Sequence, residues 1–478
     1  MRNLKFLALL TIGACGPAAY QPPPVQVAPA FREAPESTTS GNAVKFVAAS
    51  IAHPDSMGTA LDSWRQLGDT TLDRLLDQAL QQNFDARAAA ARVRGARSAR
   101  TRASLDLAPT VTAAGSYTRQ RISSAAFPIG GGTFPDQDIW DAGFDASWEL
   151  DLFGRLRRNL QAEGAFVSAS EEDLRNVRVS LAAEVARAYF ELRGAQDQLA
   201  VTQKNADNQR RTLEVTHQRL DAGRGTAFDT ERAQAQLSFT LAAIPPLEAS
   251  VAAAKYRIGV LVGRSPATVA AELTNVAAIP QLPRLVSIPN ADSLIRRRPD
   301  VAAAERVFAA QRALVGAAKA AYLPQITVGA SAGYASSALS SFGDHGTFRY
   351  AVGPVISWPA LNLGRVKAGV DASQARASEA ESQYAQTVLL ASEEVENALA
   401  GYRSAAERVV RIDEAATASG KAAELAQLRF TEGVADFLQV LDAERTQLDA
   451  ERQLAEGRTQ AATAFAALVK ALGGSWPD

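Results

Sequence analysis

Residues 140–151 read WDAGFDASWELD, and apolar side chains alternate with polar or small ones throughout. A strand with this period of two presents Trp140, Phe144 and Trp148 on one face and acidic or small residues on the other. About ten residues is the length at which a tilted strand crosses a lipid bilayer. The stretch therefore predicts a membrane strand with lipid on one face and water on the other. A soluble antiparallel sheet with one buried face is the alternative.

Three further stretches alternate in a similar way, at about residues 109–120, 324–336 and 348–359. Together with residues 140–151 they make four predicted membrane strands. Aromatic residues near strand ends are typical of the girdles that mark the two membrane–water interfaces. The predicted interface aromatics are Trp140, Trp148, Phe348, Tyr350 and Trp358.

The chain carries an internal duplication. Ser147-Trp148 recurs as Ser357-Trp358, and Leu107-Ala108-Pro109 lines up with Tyr322-Leu323-Pro324. Landmarks in the same order at nearly constant spacing predict two tandem structural repeats. We place repeat 1 at residues 61–269, a linker at 270–289, repeat 2 at 290–473 and a C-terminal tail at 474–478.

Each repeat continues from its strands into a long helical stretch. Residues 155–220 and 365–430 contain no proline, and their apolar residues recur every three to four positions, as in packed helices. At about 1.5 Å per residue, such stretches span roughly 100 Å. Gly223, Gly225 and Gly433 then interrupt the helices, and we predict that these turns are the tips of a rod. Second helices are predicted at about residues 226–262 and 436–472.

Four strands cannot close a membrane barrel on their own. Closed membrane barrels have at least about eight strands, and an open strand edge in lipid leaves backbone groups unpaired. The chain must therefore oligomerise in the membrane, with eight strands from two copies or twelve from three. The strand count alone leaves both assemblies open.

The N-terminus has the pattern of an export signal. Arg2 and Lys5 precede a short apolar run, and small residues surround Cys15, the only cysteine of the chain. We predict a lipoprotein signal peptide at residues 1–14 and lipidation of Cys15, with a cysteine that merely packs in an apolar stretch as the alternative. Residues 15–60 begin with a proline-rich stretch and are predicted to form an extended tether.

Composition and charge exclude several classes of protein. Lys+Arg is 50 and Asp+Glu is 51, and this net charge of −1 argues against nucleic acid as a partner. One cysteine and three dispersed histidines offer no ligand spacing, so we predict no metal and no cofactor. No Gly-x-x-x-x-Gly-Lys phosphate loop is present, and we predict no enzyme. No run of 18 apolar residues follows the N-terminal segment, which argues against a helical membrane span.

These segments together resemble the TolC-like outer membrane factor family, in particular its lipoprotein branch, the NodT-type efflux lipoproteins. The resemblance rests on residues 147–155, 298–305 and 433–445 and on Trp64 with residues 72–83, and it covers about residues 60–473. It implies a mainly α fold with a membrane β-barrel, built from two tandem repeats with four strands and long coiled helices per chain. It further implies a homotrimer with a 12-stranded β-barrel and a 12-helix α-barrel, and it places the linker in an equatorial belt.

The resemblance also implies partners and a gate. The partners are a periplasmic adaptor (membrane fusion) protein, an inner-membrane RND-type transporter and the outer membrane lipid of a Gram-negative bacterium. By motif match, Leu438 and Asp442 form the periplasmic gate, while Gln439 stands where some members have a second acid. From the residues alone, Asp442 is equally well a charge that is favoured near a helix N-terminus.

The sequence therefore predicts a passive exit duct of a tripartite efflux pump that conducts drugs or other small molecules. One alternative is an outer membrane duct for type I protein secretion. Another is a lipid-anchored coiled-coil protein without a pore. The apolar strand face favours a duct over a scaffold, because a scaffold has no need of lipid-facing strands.

Overall fold

The computed structural model describes residues 30–33, 44–48, 62–123, 135–288 and 290–474. Its strands are β1 (Lys45–Ala48), β2 (Thr110–Gln120), β3 (Gln137–Leu150), β4 (Leu285–Ile288), β5 (Gln325–Ser336) and β6 (Phe348–Ser357). The helices of the first half are α1 (Asp62–Arg65), α2 (Thr70–Gln82), α3 (Phe84–Leu105), α4 (Arg155–Asp221), α5 (Ala227–Ala242), α6 (Ile244–Leu261) and α7 (Pro266–Glu272). Those of the second half are α8 (Ala291–Arg297), α9 (Pro299–Ala320), α10 (Leu363–Thr431) and α11 (Phe437–Ala471).

Four strands form one antiparallel sheet in the order β2-β3-β5-β6. Its register aligns the apolar alternations of neighbouring strands, so that Phe144 lies between Ala113 and Ala332. The side of the sheet that carries Phe144 is called the apolar face, and the side that carries Asp141 and Asp145 is called the polar face. The four strands that the alternation predicts are therefore present, and they share one apolar face.

The two hairpins of this sheet follow one pattern. β2 pairs with β3 starting from Thr110 opposite Ser147, and β5 pairs with β6 starting from Gln325 opposite Ser357. The difference in residue number that takes Thr110 to Gln325 is called the first offset, and the difference that takes Ser147 to Ser357 is called the second offset. Applied to the first strand and the second strand respectively, the two offsets convert every pair of the first hairpin except the last, Gln120 with Gln137, into a pair of the second. The duplication seen in the sequence is a duplication of structure.

Each hairpin is fastened to the helix before it by the same tryptophan bond. Trp148 Nε1 donates to the backbone oxygen of Leu107 at 2.9 Å, and Trp358 Nε1 donates to that of Tyr322 at 3.0 Å. These carbonyls lie two residues after the ends of α3 and α9, in the turns that lead into β2 and β5. The indole N–H groups therefore fix the base of each hairpin against the helical region.

Two helices are much longer than the rest. α4 has 67 residues and α10 has 69, so at about 1.5 Å per residue each spans roughly 100 Å. Near the sheet they pack with α3 and α9, and further along they pack with α5, α6 and α11. The predicted rod-like helices are confirmed.

The second helix of repeat 1 differs from the prediction. The stretch predicted as one helix at residues 226–262 is broken into α5 and α6 at Ala243. Pro245 and Pro246 lack the N–H groups that a continuous helix would use, and proline is well accommodated in the first turn of a new helix. The equivalent α11 contains no proline and runs unbroken for 35 residues.

The largest buried core lies midway along the long helices and includes Trp64, Tyr189 and Phe465. Beside it β1 pairs in parallel with β4, which joins the segment predicted as a tether to the segment predicted as a linker. The sequence analysis did not predict either strand. Each has only four residues, too few to show a period of two.

Among the residues that the structure describes, one helical stretch, Ala227–Leu261, is long and apolar enough to cross a membrane as judged by length and composition, and most of it is exposed in the single chain. It comprises α5 and α6, and Phe228 and Phe239 are among its exposed side chains. The sequence argument counted strictly consecutive apolar residues and therefore missed this stretch.

Candidate functional site: membrane sheet, belt and helix tips

Aromatic side chains cluster on the apolar face at the end of the sheet nearest the hairpin loops. The rings of Tyr117 and Trp140 lie 4.4 Å apart, and those of Tyr334 and Phe348 lie 5.7 Å apart, measured between centroids. Phe342, in the loop after β5, joins them at 6.0 Å from Tyr334. The sequence prediction omitted Phe342 because it lies outside the alternation. Such a cluster is typical of a membrane–water interface.

The remainder of the apolar face is exposed in the single chain. Phe144, near the middle of β3, is 63% exposed, and Tyr350 on β6 is 75% exposed. Trp148 lies eight residues after Trp140, or about 27 Å along the strand. At the usual strand tilt this corresponds to roughly 20 Å across the membrane, somewhat less than the apolar band of membrane barrels, which is about 25 Å tall. Trp358 follows directly after β6. The exposed aromatic surface is that expected of a sheet covered by lipid.

The polar face carries ion pairs. Arg349 on β6 donates to both carboxylate oxygens of Asp141 on β3, at 2.6 and 2.5 Å. Gly333 on the intervening strand β5 pairs with Arg349 on one side and with Gly143 on the other. A Cβ on Gly333 would lie 2.4 Å from the backbone oxygen of Ala142, so glycine is required here by the close approach of β3. Near the base of β3, Arg155 donates to both carboxylate oxygens of Glu149, at 3.0 and 2.5 Å. This face is suited to contact with water.

Glycines form the turns at the far ends of the long helices. Gly223 and Gly433 have φ angles of 67° and 78°, and in both turns the next N–H bonds to the carbonyl five residues earlier at 2.8 Å. This is the Schellman arrangement that closes a helix C-terminus. Gly225 has a different reason to be glycine, because a Cβ there would lie 3.0 Å from the backbone nitrogen of Leu220.

A small core holds the two tips of one chain together. The buried residues of this core are Ala233, Phe430, Phe437, Val440 and Leu441. The guanidinium of Arg219 lies 4.2 Å from the ring centroid of Phe430 and donates to the Phe430 backbone oxygen at 2.7 Å. The end of α4 is thereby fixed to the end of α10.

The predicted gate residues lie on the exposed side of α11. Leu438 is 47% exposed, and Asp442 is exposed one helical turn further along. The helix N-cap is Asp436, whose carboxylate accepts a hydrogen bond from the Gln439 N–H at 3.0 Å. Capping of α11 is therefore assigned to Asp436, and Asp442 is left as an exposed carboxylate on the same side as Leu438.

In the central belt, equivalent residues of the two repeats hold the ends of the second helices. Asn83 Nδ2 donates to the Leu261 backbone oxygen at 2.9 Å, and Arg298 Nη1 donates to the Ala471 backbone oxygen at 2.8 Å. These contacts bind the carbonyls that α6 and α11 leave unpaired at their C-termini. The first offset takes Asn83 to Arg298 and the second offset takes Leu261 to Ala471, as in the hairpins.

Arg298 is also the centre of a buried charge network, a role that the sequence motif did not reveal. Its side chain is 6% exposed and forms a two-pronged pair with Asp300, at 3.1 and 2.7 Å. It also donates to Glu394, which accepts a further bond from Lys470 at 2.9 Å. Burial opposes the charged form of Glu394, but the bonds from Lys470 and Arg298 outweigh it and hold the pKa of this carboxyl below its usual value.

Cys15, the predicted lipidation site, lies outside the described residues, as do the predicted signal peptide and most of the tether. Within the described ranges no group of three His, Cys, Asp or Glu side chains is placed to hold a metal ion.

Comparison with known proteins places these features in one family. Residues 75–264 and 290–474 match the outer membrane efflux protein family, one segment in each repeat. The outer membrane protein OprJ of Pseudomonas aeruginosa is 31% identical over 99% of this chain and 95% of its own length. Nodulation protein T of Rhizobium leguminosarum is 26% identical over 98% and 96%. The solved structure of the outer-membrane channel OprN matches with 37% identity and a TM-score of 0.82, covering 94% of this chain and 99% of that one.

A membrane sheet that continues into helices of about 100 Å defines the class of tubular outer membrane channels. This chain belongs to the outer membrane efflux protein family. It is an efflux channel protein of the outer membrane of a Gram-negative bacterium, and its family consists of channel proteins. The predicted family, mainly α fold, efflux role and location are confirmed.

Proposed function

We propose that three copies of the chain form a closed exit duct through the outer membrane and the periplasm. The observation that carries this proposal is the four-stranded sheet with an exposed apolar face and two free edges, β2 and β6. Free edges in lipid must be paired. Three copies supply twelve strands, an even number within the range of closed outer membrane barrels. The aromatics Trp140, Trp148, Phe348, Tyr350 and Trp358 mark the two membrane interfaces of this barrel.

The long helices extend the barrel into a periplasmic tunnel of twelve helices. Their tips, at Gly223, Gly225 and Gly433, meet a periplasmic adaptor, which connects the duct to an inner-membrane RND-type transporter. The chain conducts passively, and the transporter supplies the energy. The family that the chain matches is described as an efflux family. This description supports small molecules, rather than secreted proteins, as the cargo. Acyl chains on Cys15 anchor the N-terminus of each copy in the same membrane.

Leu438 and Asp442 form the narrowest point of the closed duct. Both are exposed on one side of α11 directly after the tip, so three copies would place three apolar side chains and three carboxylates around the axis. A ring of carboxylates favours cations and a ring of apolar side chains restricts the pore.

The double substitution Leu438→Ala with Asp442→Ala therefore raises single-channel conductance severalfold in planar lipid bilayers. The purified wild-type protein forms small channels in the same assay, and the variant also shows weaker preference for cations. A wild-type protein that forms no channels contradicts the duct itself.

A matched control lies at the equivalent positions of repeat 1. The second offset takes Phe228 to Leu438 and Arg232 to Asp442, and the Arg232 guanidinium lies 5.2 Å from the Phe228 ring centroid. Phe228→Ala with Arg232→Ala leaves conductance unchanged if the second tip alone forms the gate. Equal conductance of the gate variant and wild type removes Leu438 and Asp442 from the gate.

A further inference from the structure

A groove with an excess of positive charge lies directly beneath the membrane sheet. We propose that it binds the phosphate headgroup of an anionic phospholipid from the periplasmic leaflet of the outer membrane. The inference rests on the proposed function only for the placement of the sheet in the membrane and of the helices in the periplasm. It does not depend on the number of copies, because the residues that line the groove all belong to one chain.

The groove runs between α9 and α10, and one side chain of α4 reaches into it. Its volume is about 700 Å³, which is within the range of small-molecule sites. Three cations and one carboxylate line it, so the lining has an excess of two positive charges. We call it the basic groove, and its charged and polar lining residues are Arg158, Arg312, Lys319, Gln374, Ser378 and Glu381.

The three cations have no acidic partner in the parts of the chain that the structure describes. Arg158, Arg312 and Lys319 all lack an ion pair there. The guanidinium of Arg312 lies over the ring of Phe308, with its Cζ 5.8 Å from the ring centroid. A guanidinium held on a ring in this way still presents N–H groups along its edge, and these suit the oxygens of a phosphate.

A glycine allows the α4 side chain to enter the basic groove. A Cβ on Gly316 of α9 would lie 2.5 Å from the Cδ of Arg158 and 2.7 Å from its Nη1. The side chain of Arg158 therefore passes directly against the backbone of α9. It reaches the same groove as Arg312 and Lys319 although it starts on a different helix.

The basic groove opens on the side of the helices that continues the apolar face. Arg155 at the start of α4 bonds to Glu149 of the polar face, so this side of α4 faces the same way as the polar face. The second offset takes Arg155 to Arg365 on α10. Gln374 follows Arg365 by nine residues, or about two and a half turns, and therefore lies on the opposite side of α10. The groove faces lipid and periplasm, not the interior of the duct.

The basic groove also lies at the depth of lipid headgroups. The interface aromatic Trp358 donates to the Tyr322 backbone oxygen, and Lys319 precedes Tyr322 by three residues, or about 5 Å of helix. Arg158 lies in the first turn of α4. Headgroups occupy a zone of about 5–8 Å on each side of the hydrocarbon core. Lys319 and Arg158 are therefore at the level of phosphate groups.

Exposed leucines lie above the basic groove, where acyl chains would be. Leu323 lies in the connection from α9 to β5, and Leu361 lies in the connection from β6 to α10. The two connections form the upper ends of the two walls. Leu361 is 99% exposed in the single chain. A lipid with its phosphate in the groove places its acyl chains beside these side chains.

Repeat 1 has a different set of charges at the equivalent positions. The first offset takes Arg312 back to Arg97, which is paired with Glu171 at 2.6 Å. It takes Lys319 back to Ser104, and the second offset takes Arg158 forward to residue 368, an alanine. Arg100 stands where repeat 2 has residue 315, a valine. The combination of three unpaired cations therefore belongs to repeat 2.

The charge of the basic groove selects the class of lipid. The phosphodiester of an anionic phospholipid carries a negative charge with no compensating ammonium group, and basic pockets at membrane surfaces bind such headgroups. The ammonium of a zwitterionic lipid would be repelled by the same three cations. The groove therefore prefers phosphatidylglycerol to phosphatidylethanolamine.

Native mass spectrometry of the full-length protein in detergent tests the site. The protein is titrated with phosphatidylglycerol or with phosphatidylethanolamine, and the wild type should bind the former at least severalfold more tightly. Arg158→Gln with Lys319→Gln should weaken binding of phosphatidylglycerol by roughly tenfold, because each cation near a membrane surface contributes substantially to attraction of anionic lipid. Binding of phosphatidylethanolamine should be unchanged.

The control for charge removal is Arg376→Gln with Lys421→Gln, which takes two cations from elsewhere on α10. Arg376 follows Arg365 by eleven residues, or about three turns, so it lies on the side of the polar face. Lys421 lies roughly 65 Å further from the sheet than Ser378. Binding of both lipids by this variant should equal that of the wild type.

A second variant adds a carboxylate to the basic groove without removing a side chain that packs. Ser378→Glu, at an exposed position, should weaken phosphatidylglycerol binding severalfold. The second offset takes Ser168 to Ser378, so Ser168→Glu makes the same change in repeat 1 and should have little effect.

The outcomes separate the lipid site from the duct. Equal binding of the two lipids by the wild type overturns the inference, as does undiminished binding of phosphatidylglycerol in both groove variants. Equal weakening in the groove variants and their controls also overturns it, because the effect would then follow from overall charge. In each case channels of wild-type conductance leave the proposed function standing, whereas a wild-type protein without channels contradicts the proposed function itself.

Discussion

Ala330→Arg is expected to abolish insertion of the channel into the outer membrane. Ala330 lies near the middle of β5, on the apolar face between Ala146 and Val352. An arginine on the lipid side of a membrane strand near the bilayer midplane costs about 2–4 kcal/mol, and three copies place three such charges in the same barrel. The measurement is the amount of heat-resistant oligomer recovered from outer membranes, which should fall to near background.

Ser331→Arg is the matched control, since it places the same side chain at the adjacent position on the polar face. Water covers that face in the duct, and Asp145 lies directly opposite, so the variant should insert at close to the wild-type level. Normal insertion of Ala330→Arg, or equal loss in both variants, would contradict the assignment of the two faces.

Arg298→Ala is expected to destabilise the belt by about 3–5 kcal/mol per chain, the usual cost of removing one partner from a buried charge network. The substitution leaves Asp300 and Glu394 without their shared cation and leaves the Ala471 carbonyl without its donor. For a chain of this length the thermal midpoint should fall by roughly 3–5 °C. Scanning calorimetry of the purified protein in detergent measures this shift.

Arg296→Ala serves as the comparison, because Arg296 is two residues away and pairs with Asp292 in an exposed i,i+4 arrangement. Such surface pairs contribute about 0.3–0.5 kcal/mol. The thermal midpoint of the Arg296→Ala variant should therefore move by less than about 1 °C. Arg298→Lys keeps the charge but loses the two-pronged geometry. Its thermal midpoint should lie between those of Arg298→Ala and Arg296→Ala. A midpoint for Arg298→Ala that equals that of Arg296→Ala would show that the network does not stabilise the belt.

Much of this fold can be predicted from sequence because its elements are long and periodic. The alternation at residues 140–151 spans enough residues to distinguish a strand from a helix, and a helix of 67 residues shows its apolar period many times over. Because the chain is duplicated, the sequence pattern of each element occurs twice. The turns at Gly223 and Gly433 could be predicted because a positive φ is most readily adopted by glycine.

The belt could not be predicted, for physical reasons that its residues illustrate. β1 and β4 have four residues each, and about half the length of the chain separates them in sequence. Neither a local sequence pattern nor closeness in the sequence therefore reveals that they pair. Burial of Arg298 depends on Glu394 and Ala471, which are distant in sequence. The family motif marked Arg298 without giving its role.

The number of chains in the particle tests the whole account. Native mass spectrometry of the full-length protein, extracted in mild detergent, should give particles of three chains. Particles of a single chain would contradict the account, because four strands would then have no way to close in the membrane.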